Sequence, residues 1–329
     1  MISFFLIIFV FSYILTYLVK IFAEKKSIMD IPNVRSSHTV PTPRGGGLAI
    51  VFTWFAGITY LYFTDNINEK LYFAFLAGLP ILIVSIIDDL INVSPYIRII
   101  IQSLSAISAL YFLGNVSGID LGFIIFSNKF LIYAFSFLLI LWFTNLFNFI
   151  DGIDGYLSSG VIFFGTVLFL FTKDSSMLIL VFSVLGFIIW NWQPAKIFMG
   201  DAGSTLLGYT FIIYALYFEN SSEFPLLMSL ILSSLFWFDA TYTLIFRIIK
   251  KEKISSPHKK HIYQRLVQSG YSHQKVVLIS FFVNILIGGI LLFVGNYNEY
   301  LIYSLIFVIF LMLILTALVN KKKPFTENI

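Results

Sequence analysis

Residues 130–155 read FLIYAFSFLLILWFTNLFNFIDGIDG, and this stretch decides the fold. The run 130–146 carries no charge and approaches the roughly 20 residues that a membrane-crossing helix needs. It then ends in Asn145, Asn148, Asp151 and Asp154. Carboxylates at hydrocarbon depth are costly, so their presence there points to function. Asn148, Asp151 and Asp154 recur every third residue, on adjoining parts of a helix surface. Two Asp-Gly steps, at Gly152 and Gly155, predict that the helix breaks among them. A plain polar helix end with a glycine cap would need neither two aspartates nor two asparagines.

Similar apolar runs fill the chain. Of 329 residues, 59% are hydrophobic and only 12% charged, and the mean hydropathy is +0.91. A soluble domain would carry roughly 25% charged residues. The sequence predicts one all-α polytopic integral membrane domain over 1–329 with about eleven transmembrane helices. They fall at 2–20, 45–63, 71–87, 97–113, 130–146, 156–172, 177–192, 203–218, 224–246, 276–294 and 300–319. Segment 118–127 is too short to span and is expected to rest on the outer membrane surface. The chain has no cysteine, which excludes disulfides, thiolate catalysis and Cys-ligated metals.

Charge sets the expected orientation. The first run has no basic residue before it and Lys20, Lys25 and Lys26 after it, the reverse of a secretory signal. An N-terminus outside and a cytoplasmic C-terminus follow. All but Lys70, Lys129 and Lys173 of the 21 Lys and Arg residues then lie inside, as the positive-inside rule requires. The same arrangement gathers His38, His258, His261, His273, Asp88, Asp89, Asp151, Asp154 and Asp201 on the cytoplasmic face. They occupy the connections around 23–47, 88–98, 145–156, 191–204 and 250–275. No internal repeat is evident, which weakens an inverted-repeat transporter.

Each connection has its own chemistry. In the first, Pro32, Pro41 and Pro43 forbid a helix. Arg35, His38 and Arg44 could contact an anion there, and Gly45–Gly47 permit close backbone approach. The alternative is a basic loop with a flexible exit. Asp88 and Asp89 form an acidic pair at a helix C-terminus, where the dipole prefers cations, so they raise one another's pKa or attract a metal. A chance surface pair is the plainer alternative. Arg98 and Gln102 share one face of the next span, although Arg98 alone could be an interfacial anchor. Residues 191–208, NWQPAKIFMGDAGSTLLG, place Asp201 and Ser204 at a helix N-terminus that favours phosphate. Phe198 is an aromatic in a polar loop, suited to stacking a base. A simple Asp cap is the alternative, and no Walker motif occurs. His258, His261 and Arg265 would make a basic face if helical, unless they only attract anionic lipid. Asp239 lies about 12 Å from Arg247 along its span and is expected to face the protein interior. Carboxylates, Asn oxygens, a phosphate-ready helix end and basic groups on one face fit magnesium-dependent phosphoryl transfer.

These motifs carry a resemblance. PRGGG, Asp88-Asp89, NLFNFIDGIDG, NWQPAKIFMGDAGS and HKKHIYQRL stand in the order and spacing of the polyprenyl-phosphate N-acetylhexosamine-1-phosphate transferases, over nearly the whole chain. The resemblance implies Asp201 as the principal magnesium ligand, assisted by Asn148, with manganese as a substitute ion. It implies Asp88 and Asp89 as the acidic pair, one acting as base or orienter for a lipid phosphate. Phe198 would stack uracil, and Asp154 and Asn191 would fix the nucleotide. Asp151 belongs to the same catalytic set without a separate task. Arg44 and Arg98 match basic positions near the phosphates. His258, His261 and Arg265 match a loop closing over the pyrophosphate and sugar. The sequence His258, His261, Tyr263, Gln264 resembles the branch that serves O-antigen or other surface polysaccharides.

The implied reaction transfers N-acetylhexosamine 1-phosphate from a UDP-sugar to undecaprenyl phosphate, releasing UMP, at the bacterial cytoplasmic membrane. The sugar is N-acetylglucosamine or a 6-deoxy relative such as N-acetylfucosamine or N-acetylquinovosamine. The partners implied are these two substrates and membrane lipids, with no nucleic acid and a homodimer as a compatible assembly. The rival reading from another class is a transporter or lipid flippase with a cytoplasmic ion site.

Overall fold

The computed structural model describes residues 2–32, 37–91, 93–114, 118–221, 224–253, 256, 258–295 and 297–325. Arg35 lies outside them. Among the described residues the chain forms fourteen helices: α1 (Ile2–Lys25), α2 (Gly47–Phe63), α3 (Glu69–Leu76), α4 (Leu79–Ile91), α5 (Pro95–Leu113), α6 (Lys129–Ile150), α7 (Tyr156–Thr172), α8 (Ser175–Asn191), α9 (Asp201–Ser221), α10 (Leu226–Leu232), α11 (Ser234–Ile249), α12 (Ile262–Gln268), α13 (His273–Val294) and α14 (Asn298–Lys322). Two antiparallel ribbons complete the secondary structure, β1 (Met29–Asp30) with β2 (Thr42–Pro43), and β3 (Ile119–Asp120) with β4 (Ile125–Phe126). The second ribbon occupies the segment that was too short to span.

The expected all-α, multi-pass class is borne out. Among the described residues, six stretches are long and apolar enough to cross a membrane: Ile2–Lys25, Glu69–Ile91, Pro95–Leu113, Lys129–Ile150, His273–Val294 and Glu299–Lys322. The pair α10 and α11, bent by 77°, makes a seventh if taken as one span. Helices α2, α7 and α8 are apolar but shorter.

Helix α9 lies at the centre. It packs against α2, α3, α4, α6, α7 and α10, and every residue from 202 to 216 is buried. With protein rather than lipid on all sides, it tolerates Gly203, Ser204, Thr205, Gly208 and Thr210. Small residues here allow close helix approach. A Cβ on Gly203 would come within 2.7 Å of the Gly47 Cα, and one on Gly208 within 2.3 Å of the Phe143 carbonyl oxygen. Gly46 is likewise pressed against Phe187 and Ile197. Two of the three glycines in PRGGG are therefore packing residues of α2, and only Gly45, at φ +97°, has open space around it.

Two expected spans are interrupted, each for a local reason. The stretch 71–87 divides into α3 and α4 at Ala77–Gly78. Pro80 lacks the N–H that would continue the ladder, and a Cβ on Gly78 would meet the Tyr209 ring at 2.5 Å. The stretch 224–246 divides at Ser233, whose hydroxyl donates to the Ser229 carbonyl at 2.7 Å. The Trp237 indole satisfies the Leu230 carbonyl at the bend, at 2.7 Å. Polar caps mark other helix starts. Asn128 Oδ1 accepts from Phe130 and Leu131, and Asp174 accepts from the Ser176 N–H.

Candidate active site

The helix carrying the opening stretch stops where the Asp-Gly steps predict. Asp151 follows the last residue of α6, and Gly155, at φ +72°, precedes α7. The intervening loop forms one wall of a polar cavity of about 310 Å³. That wall presents Asn148, Asp151 and Asp154, and Asp89 of α4 and Asp201 of α9 stand with them. His38, Arg44 and Phe198 line the cavity from the connecting loops. Four carboxylates so gathered repel one another. Burial first, and then the charges of Asp201, Asp89 and Asp154, push the Asp151 carboxyl up to about 8.

Two loops are joined to make the opposite wall. The Phe198 N–H donates to the Pro43 carbonyl at 2.8 Å, the Gly46 N–H to the Phe198 carbonyl at 2.9 Å, and the Gly47 N–H to the Met199 carbonyl at 2.8 Å. This main-chain pairing holds the Phe198 ring half-exposed in the cavity, with His38 edge-on at 4.8 Å. Asn191 is buried, and both ends of its amide are engaged. Its Oδ1 accepts from the Gly155 N–H at 3.0 Å, and its Nδ2 donates to the Ile197 carbonyl at 3.0 Å. It therefore latches the loop 151–155 to the loop 192–199. Asp154 reinforces that latch by accepting from the Ala195 N–H at 3.1 Å.

The acidic pair divides. Asp88 lies outside the cavity lining, with Oδ2 at 2.5 Å from Arg98 Nη1 and Oδ1 accepting from the Val93 N–H at 2.6 Å. Arg98 also lies 3.4 Å from Asp201 Oδ2, bridging the two acids. Asp89 turns to the cavity, and its carboxylate accepts from the Asp201 and Ala202 N–H groups at 3.3 and 3.5 Å. The helix N-terminus expected to hold phosphate is thus filled by Asp89, which suits the positive end of the dipole. Arg44 donates to the Asp89 main-chain carbonyl.

The last connection differs from expectation. His258, His261 and Arg265 do not line the cavity, and only Gln264 of that group does. Arg265 is buried, with Nε donating to the Lys323 carbonyl at 3.1 Å and Nη2 to Asn320 Oδ1 at 2.5 Å. It ties α12 to the end of α14 instead of facing a ligand. His258 is neutral, its pKa lowered to about 3 by burial first and then by the neighbouring basic groups, Arg247 and Lys260 among them. Its Nδ1 accepts from the Lys260 N–H at 3.2 Å.

Sequence reasoning placed His273 on the cytoplasmic face without giving it a role and did not single out Asp30; both line the cavity. His273 Nδ1 lies 3.3 Å from Asp154 Oδ2 and 3.4 Å from the Asp154 main-chain nitrogen. One nitrogen cannot donate to the first and accept from the second at once, and the charged acceptor makes the stronger bond. The signal available was Ser272, a cap placing His273 at the first turn of α13.

The donor set suits a hard divalent cation. Among the described residues no three His, Cys, Asp or Glu side chains converge as a ready-made cage. Magnesium rarely uses one, taking one or two carboxylates together with substrate phosphates and water. The buried Asn148 amide faces Asp201, and its Nδ2 makes no hydrogen bond of good geometry. Rotating that amide by 180° would put an oxygen in its place, and the two assignments are not distinguished by shape.

Comparison with known proteins identifies relatives of the chain. The glycosyl transferase family 4 model matches residues 71–219. A probable undecaprenyl-phosphate N-acetylglucosaminyl 1-phosphate transferase of Bacillus subtilis (strain 168) is 34% identical, over 95% of this chain and 92% of its own length. An undecaprenyl-phosphate alpha-N-acetylglucosaminyl 1-phosphate transferase of Thermotoga maritima is 29% identical, over 83% of this chain and 84% of its own. A decaprenyl-phosphate N-acetylglucosaminephosphotransferase of Mycobacterium leprae is 28% identical, over 82% and 77%. The chain belongs to glycosyl transferase family 4, among the polyprenyl-phosphate N-acetylhexosamine-1-phosphate transferases.

Proposed function

We propose that this enzyme transfers N-acetylhexosamine 1-phosphate from a UDP-sugar to undecaprenyl phosphate, as the first committed step of a cell-surface polysaccharide. The observation that carries the proposal is the single polar cavity in which Asp89, Asn148, Asp151, Asp154 and Asp201 meet Arg44 and a half-exposed Phe198. N-acetylglucosamine is the sugar favoured over its 6-deoxy relatives, because the relatives' names specify it. The site would face the cytoplasm of a bacterial inner membrane, in a chain of eleven spans with its N-terminus outside. The transporter reading is less favoured, since the acids sit at helix ends around one cavity.

In the reaction, an oxygen of the lipid phosphate attacks the sugar-linked phosphorus. The bond from that phosphorus to the bridging oxygen breaks, and UMP departs with the electron pair. Asp201, Asn148 and Asp151 would hold magnesium, or manganese in its place. That ion supplies charge neutralisation to the pyrophosphate and the leaving UMP. Phe198 offers its ring to the uracil. Asp154 and Asn191 act by fixing the loops against which the nucleotide lies. Asp89 orders the start of α9, and with it Asp201. Arg98 sets Asp201 against Asp88, while Arg44 anchors the first loop beside the phosphates. His258 and His261 lie outside the cavity lining, so contact with the sugar-phosphate would require the segment before α12 to move inward.

The test is UMP release by the purified protein with undecaprenyl phosphate, magnesium and a panel of UDP-sugars. Release with UDP-N-acetylglucosamine is expected. No release with any sugar, together with unchanged nucleotide binding in Asp201→Asn, would refute the proposal.

A further inference from the structure

Asp239 is a buried carboxylate that the proposed chemistry does not use. It lies within α11, is 3% exposed, and borders an apolar cavity of about 370 Å³ among α7, α11, α12, α13 and α14. A charge in such surroundings is costly unless it is paired and hydrogen-bonded. Among the described residues no Lys or Arg lies within ion-pair distance of it; the Thr243 hydroxyl of its own helix donates to Oδ1 at 3.2 Å, and its other partners come from the start of α12. Oδ1 accepts from the Ile262 N–H at 2.9 Å and lies 3.1 Å from His261 Nδ1. Oδ2 accepts from the Tyr263 N–H at 3.1 Å.

We infer that Asp239 is a positioning residue, which fixes the orientation and tautomer of His261 and clamps α12 against the loop 151–155. A carboxylate beside Nδ1 holds the proton there and leaves Nε2 as the free ring nitrogen. Such carboxylate–histidine pairs orient functional imidazoles elsewhere, and losing the carboxylate costs about 10–100-fold in activity. The same carboxylate sets Tyr263, whose hydroxyl donates to the Phe149 carbonyl at 3.0 Å. The Tyr263 hydroxyl occupies the space beside Gly152, where a Cβ would come within 2.1 Å of it. One side chain thus links the histidine segment to the loop bearing Asp151 and Asp154. A helix cap alone would not require this arrangement, since caps ordinarily come from the residue just before the helix. Here a carboxylate from a different helix adds to the local bond from the His261 N–H to Gln264 Oε1 at 3.3 Å, and it holds an imidazole as well.

The role of His261 in turnover rests on the transferase reading, and the experiment separates the two. In the full-length protein, ¹⁵N signals of the His261 ring, assigned by their loss in His261→Gln, report the tautomer without any assay. The Nδ1–H form is expected in the wild type and a mixture in Asp239→Asn. UMP release from UDP-N-acetylglucosamine is then measured for Asp239→Asn, His261→Ala and the double variant. Because Asn offers one acceptor oxygen where Asp239 uses two, Asp239→Asn loses one cap bond and is expected to fold but to melt a few degrees lower. Its turnover is expected to fall about 10–100-fold, and by less than about threefold more in the His261→Ala background. An unchanged tautomer overturns the inference, as does an equal loss in both backgrounds. If the tautomer depends on Asp239 but no variant, nor the wild type, releases UMP with any UDP-sugar, then it is the transferase reading that fails.

Discussion

Replacing Gly152 by alanine should push α12 away from the acidic loop while leaving every proposed catalytic side chain chemically intact. The new methyl would lie 2.1 Å from the Tyr263 hydroxyl oxygen and 3.0 Å from its Cζ. Ordinary contact begins near 3.4 Å, so the hydroxyl must retreat by about 1.3 Å. The ring has little freedom to do so, being 1% exposed and stacked on Tyr156 at 4.9 Å. Overpacking of this kind costs about 1–3 kcal/mol, and an ångström of misplacement can cost about 100-fold in rate. Gly152→Ala is therefore expected to fold, to melt a few degrees lower, and to release UMP roughly 10–100-fold more slowly. Tyr263→Phe removes the clashing oxygen at the cost of one hydrogen bond, about 0.5–1.5 kcal/mol. In the double variant the nearest ring atom is the 3.0 Å Cζ, so most of the lost turnover should return. Thermal melting in detergent and UMP release with saturating substrates measure both effects. Wild-type turnover in Gly152→Ala, or a double variant slower than either single one, would refute the steric argument.

Three further outcomes are expected. Asp151, raised to about 8, keeps a proton in the folded protein that the unfolded chain sheds near 3.8. The metal-free protein should then lose stability as pH rises through that window, and magnesium, which must displace the proton, should raise the melting temperature more at about pH 8.5 than at about 6.5; equal shifts would contradict the assignment. Asn191→Leu strands the Gly155 N–H and the Ile197 carbonyl, each costing roughly 1–3 kcal/mol, so melting should drop sharply, and an unchanged melting point would show that the latch is not needed. Arg265→Lys keeps the charge but loses the forked contacts to Lys323 and Asn320, which predicts a lower melting temperature and an unchanged KM for the donor; a raised KM at normal stability would return Arg265 to the ligand.

The cavity was legible wherever a cost could be seen locally. Carboxylates ending an apolar run announce themselves, and the Asp-Gly steps mark the helix break at Asp151. Asp201 and Phe198 stood out because loop chemistry next to a helix start is visible over a few residues. What was not legible depends on direction or distance. Asp88 and Asp89 are neighbours in sequence, yet successive helical residues point about 100° apart, so one meets Arg98 and the other the cavity. Arg265 looked like a ligand for anions because its acceptors on α14 are 55 and 58 residues away. The glycines of PRGGG suggested a flexible loop, since nothing near them in the sequence hints at Gly203. The interruptions at Gly78 and Ser233 were hidden because an apolar run reads the same whether its helix is straight or broken.

The carboxylate that orders the start of α9 has a consequence for how the protein is made. Asp89 finds its N–H partners 112 and 113 residues further along the chain. At roughly 5–20 residues per second, the ribosome needs on the order of 5–20 s to deliver them. For that interval Asp89 must wait without the helix end that later holds it, whereas Asp88 receives Arg98 after only ten residues. The two acids thus mature on separate clocks: one is neutralised as its own helical hairpin emerges, and the other only when the central helix inserts. Assembly of the cavity is therefore a late event in synthesis.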